Sequence, residues 1–290
     1  MNEQDLKYEK FDDGYALCAD STQPGVMLGV RQLVGDVPLI IADPPYGNIV
    51  SEKWDRINES DELFSDWMIK WTRNWAEKCL LAGGAFYVWG GVGKPGFRPF
   101  LRYLSEVEQE GKFELANLIT WSKKRAYGVQ NNYLWTREEC AYFIFGDAKK
   151  PRCFNVPLLD TKRGYAGYNA KYPAKSEFYR RTNVWMDINE MFRGKVHPTQ
   201  KQQRLHEVMI EVHTQPGEWV IDPFAGAGTT AFACRKLGRK FVVIENDAVC
   251  FQDMVNRLKA CDSVDACKST STATPTTDTP KKRSRRAPST

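Results

Sequence analysis

Apolar positions along the chain follow two patterns. Short runs that are apolar throughout end in polar or proline-bearing loops, and longer stretches between them repeat apolar residues every three or four positions. Val37 to Ala42 (VPLIIA) is such a run and stops at Asp43-Pro44-Pro45, which predicts a buried parallel strand ending in a loop. Asp61 to Leu81 places Phe64, Trp67, Met68, Trp71 and Trp75 on one helical face, with Gly83-Gly84 as the stop. Ala85 to Trp89 reads as a strand, Phe97 to Glu110 as a helix, and Phe113 to Trp121 and Cys140 to Phe145 as further strands. The pattern lapses from about Asp147 to Lys195, where Gly, Tyr, Pro and basic residues crowd together. It returns with a helix over Gln200 to Thr214 ended by Gly217, then a strand, Trp219 to Ile221, and a glycine turn. A helix from Thr230 to Leu237 capped by Gly238, and a strand from Phe241 to Ile244, complete a β-α-β unit. Alternating strands and helices predict an α/β fold.

With 290 residues, 42% of them hydrophobic, the chain can build one large core or two modest ones without disulfide staples. No apolar run approaches the roughly 18 residues of a membrane helix, and MNEQDLKYEKFDDGY is polar. A soluble, non-secreted chain with no membrane partner is expected. The eight cysteines stand singly, with no C-x-x-C pair and no histidine at ligand spacing, so reduced thiols and no metal are expected. The net charge of +5 is unevenly placed: residues 147–195 carry +6, Ser263 to Thr290 carry +4, and the remainder is acidic. The tail is rich in Ser, Thr and Pro, which predicts disorder, and its KKRSRR suits a nucleic-acid arm, an import signal or plain solubilisation. In the basic segment Tyr165, Tyr168, Tyr172, Phe178 and Tyr179 interleave with cations, the composition of a nucleic-acid surface or of a solvated loop.

Two motifs bear chemistry. Gly226 and Gly228 follow a strand and precede a helix, where backbone without Cβ lets a ligand approach, and Glu245 ends the next strand, where a carboxylate can accept from both ribose hydroxyls. Gly226 to Ala231 also satisfies G-x-G-x-x-A, so a nicotinamide oxidoreductase is a formal alternative. Asp43-Pro44-Pro45-Tyr46 sets a carboxylate and the Pro44 carbonyl at a strand end, on a backbone stiffened by two prolines. Two such acceptors bind an exocyclic amine, draw its nitrogen toward tetrahedral geometry and free its lone pair, while Tyr46 stacks on the attached ring. No cysteine follows a proline, a common setting for a nucleophilic thiolate, so covalent cysteine chemistry has no support. The three histidines accompany no Ser or Cys elbow, which leaves a hydrolase unsupported, and His206 and His213 are expected on a helix surface.

Asp43-Pro44-Pro45-Tyr46, His197-Pro198-Thr199-Gln200-Lys201 and Asp222-Pro223-Phe224-Ala225-Gly226-Ala227-Gly228-Thr229-Thr230, in that order, resemble the β-group of S-adenosylmethionine-dependent amino DNA methyltransferases. The resemblance runs from Asp20 to about Asp253. It implies a Rossmann-like methyltransferase sheet with helices on both faces, interrupted by a small basic target-recognition insert. Residues 1–146 would be the catalytic half, 147–195 the insert, 196–262 the cofactor half and 263–290 a disordered tail. Asp43, Pro44, Pro45 and Tyr46 would hold a flipped base. S-adenosyl-L-methionine would meet Asp20, Thr199, Lys201, Asp222, Phe224, Gly226, Gly228, Thr229 and Glu245, with Glu245 on the ribose and Thr199 and Lys201 near the carboxylate. Ala19 stands where the family usually has Gly before Asp20, and Gln202 where a Pro commonly follows the Lys201 motif.

Double-stranded DNA is the implied partner, with Lys123, Lys124, Arg125, Arg163, Arg180 and Arg181 as candidate phosphate or base contacts and Trp54-Asp55 near the target base. Asp rather than Ser at position 43 favours adenine N6 over cytosine N4. A noncatalytic nucleic-acid module is a further alternative. A monomer or homodimer in the cytoplasm, on the nucleoid, or in the nucleus of a eukaryotic host, is expected.

Overall fold

The computed structural model describes residues 7–46, 61–91, 93–109, 112–128, 130–146, 150–163, 176–188 and 201–262. The chain opens with an antiparallel hairpin, β1 (Tyr8–Phe11) and β2 (Gly14–Cys18), followed by α1 (Pro24–Val34), β3 (Val37–Ala42), α2 (Asp61–Cys79) and β4 (Leu80–Gly90). Next come α3 (Gly93–Val107), β5 (Phe113–Tyr127), β6 (Trp135–Phe145), β7 (Leu158–Lys162), β8 (Phe178–Arg180) and β9 (Val184–Trp185). The last elements are α4 (Gln203–His213), β10 (Trp219–Asp222), α5 (Thr229–Leu237), β11 (Lys240–Glu245) and α6 (Ala248–Asp262).

Nine strands form one sheet in the order β1-β2-β11-β10-β3-β4-β6-β5-β9. From β2 to β4 the pairs are parallel, and β6 and β5 then pair antiparallel. All six residues of β3 are buried, as a strand covered on both faces must be. Leu39 and Ile41 join Val220, Phe241 and Val243 under α4, α5 and α6. Ile40 and Ala42 join Ile221, Val242 and Ile244 under α1, α2 and α3. This period-two division produces a three-layer sandwich with helices on both faces, and each fully buried Leu or Ile contributes roughly 1.5–3 kcal/mol.

Several boundaries differ from the pattern-based expectation. Gly83-Gly84 do not stop α2; the helix ends at Cys79, and Leu80 already pairs with Val37. The glycines lie in an irregularity of β4, where the partner of Val37 is Leu80 but that of Leu39 is Ala85. Pro38, which has no N–H to give a ladder, sits at that same shift. The β5–β6 hairpin extends past the apolar runs, with Ser122 opposite Arg137, because its outer part is held by backbone pairing rather than by burial. Helix α4 stops at Thr214, whose N–H bonds to Ile210 O, and Gly217 serves the following turn at φ +84°. His206 and His213 are not on a helix surface; each is 2% exposed, because α4 is covered by the sheet and by α5. In the basic segment β7 and β8 pair with each other, whereas β9 pairs with β5 and puts Trp185 into the main core. The β1–β2 hairpin and α1 were not among the expected elements, although Val26, Met27 and Val30 recur at helical spacing on the buried face of α1.

Candidate active site

The sheet order reverses between β3 and β10: the chain passes from β3 outward to β4, and from β10 outward to β11 in the other direction. Loops leaving the carboxyl ends of two such strands diverge and leave a crevice, the usual ligand position in an open parallel sheet. Asp43 follows β3 and the Asp222 to Gly228 turn follows β10, so the two motifs, far apart in sequence, meet at this edge.

Around Asp43 lies a compact charged cluster. Tyr46 OH donates to Asp43 Oδ1 at 2.5 Å. Lys201 Nζ donates to both Asp43 oxygens, at 2.8 and 2.9 Å, and to Tyr46 OH at 2.5 Å. It also lies 3.0 Å from Glu138 Oε2 and 5.1 Å from the ring centroids of both Tyr46 and Trp89. The ammonium is therefore held by two carboxylates and two aromatic faces in a site where Lys201 is only 6% exposed. The other oxygen of Glu138 is in contact with Lys123 Nζ. Beside it Glu139 accepts from Thr120 Oγ1 at 2.7 Å and pairs with Arg137 at 3.0 Å.

The glycine turn is built by its acidic neighbours. Glu245 Oε2 accepts from Gly226 N at 2.8 Å, and Oε1 accepts from Asp247 N at 2.8 Å. Burial pushes the Glu245 carboxyl up, against the pull of these N–H groups. A carboxylate offers about four lone-pair sites, so two bonds leave capacity for a diol. Gly226 has φ +50°, and a Cβ there would meet no atom within 4 Å, so it faces an open surface next to Glu245. At Gly228, φ +81°, a Cβ would fall 2.7 Å from Met254 Cγ; this glycine is needed for close packing and for capping α5. Phe224 packs edge-on against Trp71, centroids 4.9 Å apart, which ties the turn to α2. Ala19 N donates to Glu245 O at 3.1 Å and brings the end of β2 alongside. A carboxylate with spare acceptors, a glycine backbone open to approach and an aromatic wall together fit a nucleoside.

Other predicted cofactor residues are engaged with neighbouring groups of the protein. Asp222 is 2% exposed; its Oδ1 accepts from Phe224 N at 2.9 Å and its Oδ2 from Thr230 Oγ1. Thr230 in turn lies 2.8 Å from His206 Nδ1. Burial pushes Asp222 up to about 7 and His206 down to about 4. The buried Nε2 of His206 has no hydrogen-bond partner among the described residues. Thr229, at the first turn of α5, is 6% exposed. Asp20 binds Thr22 N at 2.9 Å, Thr22 Oγ1 at 2.7 Å and Gln23 Nε2 at 3.0 Å, shaping the entry to α1. Burial raises its carboxyl, and these bonds outweigh it and hold the group below its usual range. Lys201, expected beside the cofactor, is bonded to Asp43 at the same crevice edge.

Among the predicted DNA contacts, Arg163 and Arg180 are exposed on the β7–β8 pair, over the rings of Tyr179 and Phe154. Lys123 is half-buried against Glu138. Arg181 departs from expectation: it is 9% exposed, bonded to Asp187 at 2.6 Å and packed over Trp185. A side chain so enclosed packs β9 against its surroundings. The side chains of Lys124 and Arg125, and Trp54, Asp55, His197, Thr199 and the basic tail, lie outside the described residues. Glu138 and Trp89 were not singled out from sequence. The signal for Glu138 was there: two consecutive acids, Glu138-Glu139, open an otherwise apolar strand run.

Fold and crevice together define an α/β enzyme of the Rossmann-like methyltransferase kind. Residues 37–255 match the family of N6/N4 methyltransferases described as DNA methylase, and the chain belongs to that family. It is 29% identical over 238 residues to the Type II methyltransferase M2.DpnII of Streptococcus pneumoniae, covering 77% of this chain and 82% of that protein. It is 28% identical over 225 residues to the DNA adenine methyltransferase YhdJ of Escherichia coli, covering 72% and 71%. The crystal structure of an M1.HpyAVI–SAM complex superposes with a TM-score of 0.57 at 23% identity, over 84% of this chain and 98% of that one. The cytosine-N4-specific PvuII DNA methyltransferase superposes at 0.64 with 18% identity, over 90% and 94%. The protein is a DNA methyltransferase.

Proposed function

We propose that this DNA methyltransferase acts on adenine N6 at a specific site in double-stranded DNA, on a base turned out of the helix. The observation that carries the reading is the Asp43 carboxylate, coupled to Tyr46 at the same crevice edge as Glu245 and Gly226. Its methyl donor is S-adenosyl-L-methionine, which supplies an electrophilic methyl on a sulfonium. Glu245, Gly226 and Phe224 hold the nucleoside part. Asp43 and the Pro44 carbonyl accept the amino hydrogens and keep the nitrogen lone pair directed away from the ring, while Pro45 stiffens the loop and Tyr46 packs on the base. This is alignment and charge placement, with no covalent intermediate. The exposed Arg163 and Arg180 track phosphates. Asp at position 43, together with likeness to a relative named as an adenine enzyme, supports adenine.

The test is incubation of unmethylated DNA with labelled S-adenosylmethionine, followed by digestion and nucleoside mass analysis. N6-methyldeoxyadenosine is the expected product. N4-methyldeoxycytidine alone would transfer the reading to cytosine.

A further inference from the structure

We propose that Glu138 is a positioning residue that takes the Lys201 ammonium away from Asp43 as the target base enters. The proposal rests on Asp43 as the acceptor of the target amine. An ammonium and an exocyclic amine are both N–H donors, and they compete for one carboxylate: Lys201 Nζ bonds both Asp43 oxygens, at 2.8 and 2.9 Å. The same ammonium bonds Tyr46 OH at 2.5 Å, and so holds the ring assigned to stack on the base. For catalysis Lys201 must let go of both.

Leaving Asp43 without another anion would strand a buried cation, which is strongly unfavourable. Glu138 removes that obstacle. Its Oε2 is already 3.0 Å from Nζ, and it is itself 5% exposed. Rotation at the end of the lysine chain therefore exchanges a shared ammonium for one held by Glu138, with no interval in which the charge is unpaired. Trp89, its ring centroid 5.1 Å from Nζ, lines the same site and stabilises the cation in either position. After withdrawal Asp43 keeps its negative charge and gains the amine hydrogens, while Glu138 carries Lys201 and Lys123 together.

Three variants test this: Glu138→Gln, Lys201→Met and their combination, with KM for unmethylated bacteriophage DNA, kcat and S-adenosylmethionine affinity measured for each. Without its anion Glu138→Gln leaves Lys201 on Asp43, and KM for DNA rises about tenfold while cofactor affinity holds. Adding Lys201→Met removes the competitor and brings KM back to within about threefold of wild type. A structural role makes the double variant at least as poor as Glu138→Gln, and that result would overturn the proposal. So would a tenfold loss of cofactor affinity in Lys201→Met, which would assign Lys201 to the cofactor. Should Glu138→Gln fail to fold, Lys201→Met alone decides: KM for DNA at or below wild type supports the exchange, and a large rise refutes it. Asp43→Ala separates the two levels, since methyl transfer by that variant would sink the underlying reading of Asp43 itself.

Discussion

The backbone N–H of Gly226 donates to Glu245 Oε2 at 2.8 Å and so ties the turn after β10 to the acid that ends β11. Glu245 thus has two tasks, shaping the turn and accepting from a ribose. Glu245→Ala is expected to weaken S-adenosylmethionine binding at least tenfold, about 1.4 kcal/mol or more, and to lower stability by roughly 1 kcal/mol. Titration calorimetry beside a thermal melt measures both. Unchanged cofactor affinity would remove Glu245 from the site.

The two glycines of the turn should respond differently to alanine. Gly228→Ala drives a methyl into Met254 and strains a φ of +81°, so a loss of about 2–3 kcal/mol in urea unfolding is expected. Gly226→Ala meets no neighbour and costs only backbone strain, about 1 kcal/mol, but its methyl faces the proposed nucleoside surface. Its larger effect should be on cofactor affinity. Equal stability losses in the two variants would contradict the packing described.

The buried Asp222–Thr230–His206 chain gives stability an unusual dependence on pH. Folded Asp222, pushed up to about 7 from 3.8, keeps its proton longer than the unfolded chain does. Its contribution is full at low pH and is lost as pH rises toward 7. His206 and His213, pushed down from 6.5 to about 4 by burial, act in the opposite sense, losing stability as pH falls through the same range. Asp222→Asn removes the first effect alone. Its stability relative to wild type should climb between pH 4 and pH 7, by a few kcal/mol at most. Urea unfolding at several pH values across that window would show a flat difference if Asp222 were not buried in this way.

The arginines of the basic segment should separate by function. Arg163→Ala and Arg180→Ala remove exposed cations, and each is expected to weaken DNA binding and lower the salt slope by about one. Arg181→Ala removes a buried side chain that packs over Trp185 and pairs with the exposed Asp187, and should lower the melting temperature. DNA titrations at three salt concentrations, with melts of the same proteins, distinguish the two outcomes.

Much of this was legible in the chain because the central strands are uniformly apolar and the loops after them are not. VPLIIA reads as a covered strand because it is one, and Asp43 and the glycine turn stand out as the polar groups that end covered strands. What escaped depended on neighbours brought in from a distance. Gly83-Gly84 look like a helix stop until the pairing of Leu80 with Val37 is known. His206 is polar on a helix covered by both the sheet and α5, and Thr230, from α5, makes its burial tolerable. Lys201 belongs by sequence to a motif near the cofactor, and its ammonium is held by Asp43 and Glu138. Periodicity reports which face of an element is covered; it does not report what covers it.

The junction of β3 and β10 also constrains how the protein is made. Only two register pairs, Val220 with Leu39 and Ile221 with Ile40, join the two parts of the parallel sheet, and the partners lie at opposite ends of the folded chain. During synthesis β3 emerges early and waits with one apolar edge unpaired until β10 has left the ribosome. Contacts of such sequence separation form late and slowly. The crevice cannot exist before that closure, so a partly made chain has no working site, and variants that weaken the junction should appear first as poor yield and aggregation, before any loss of turnover per folded molecule.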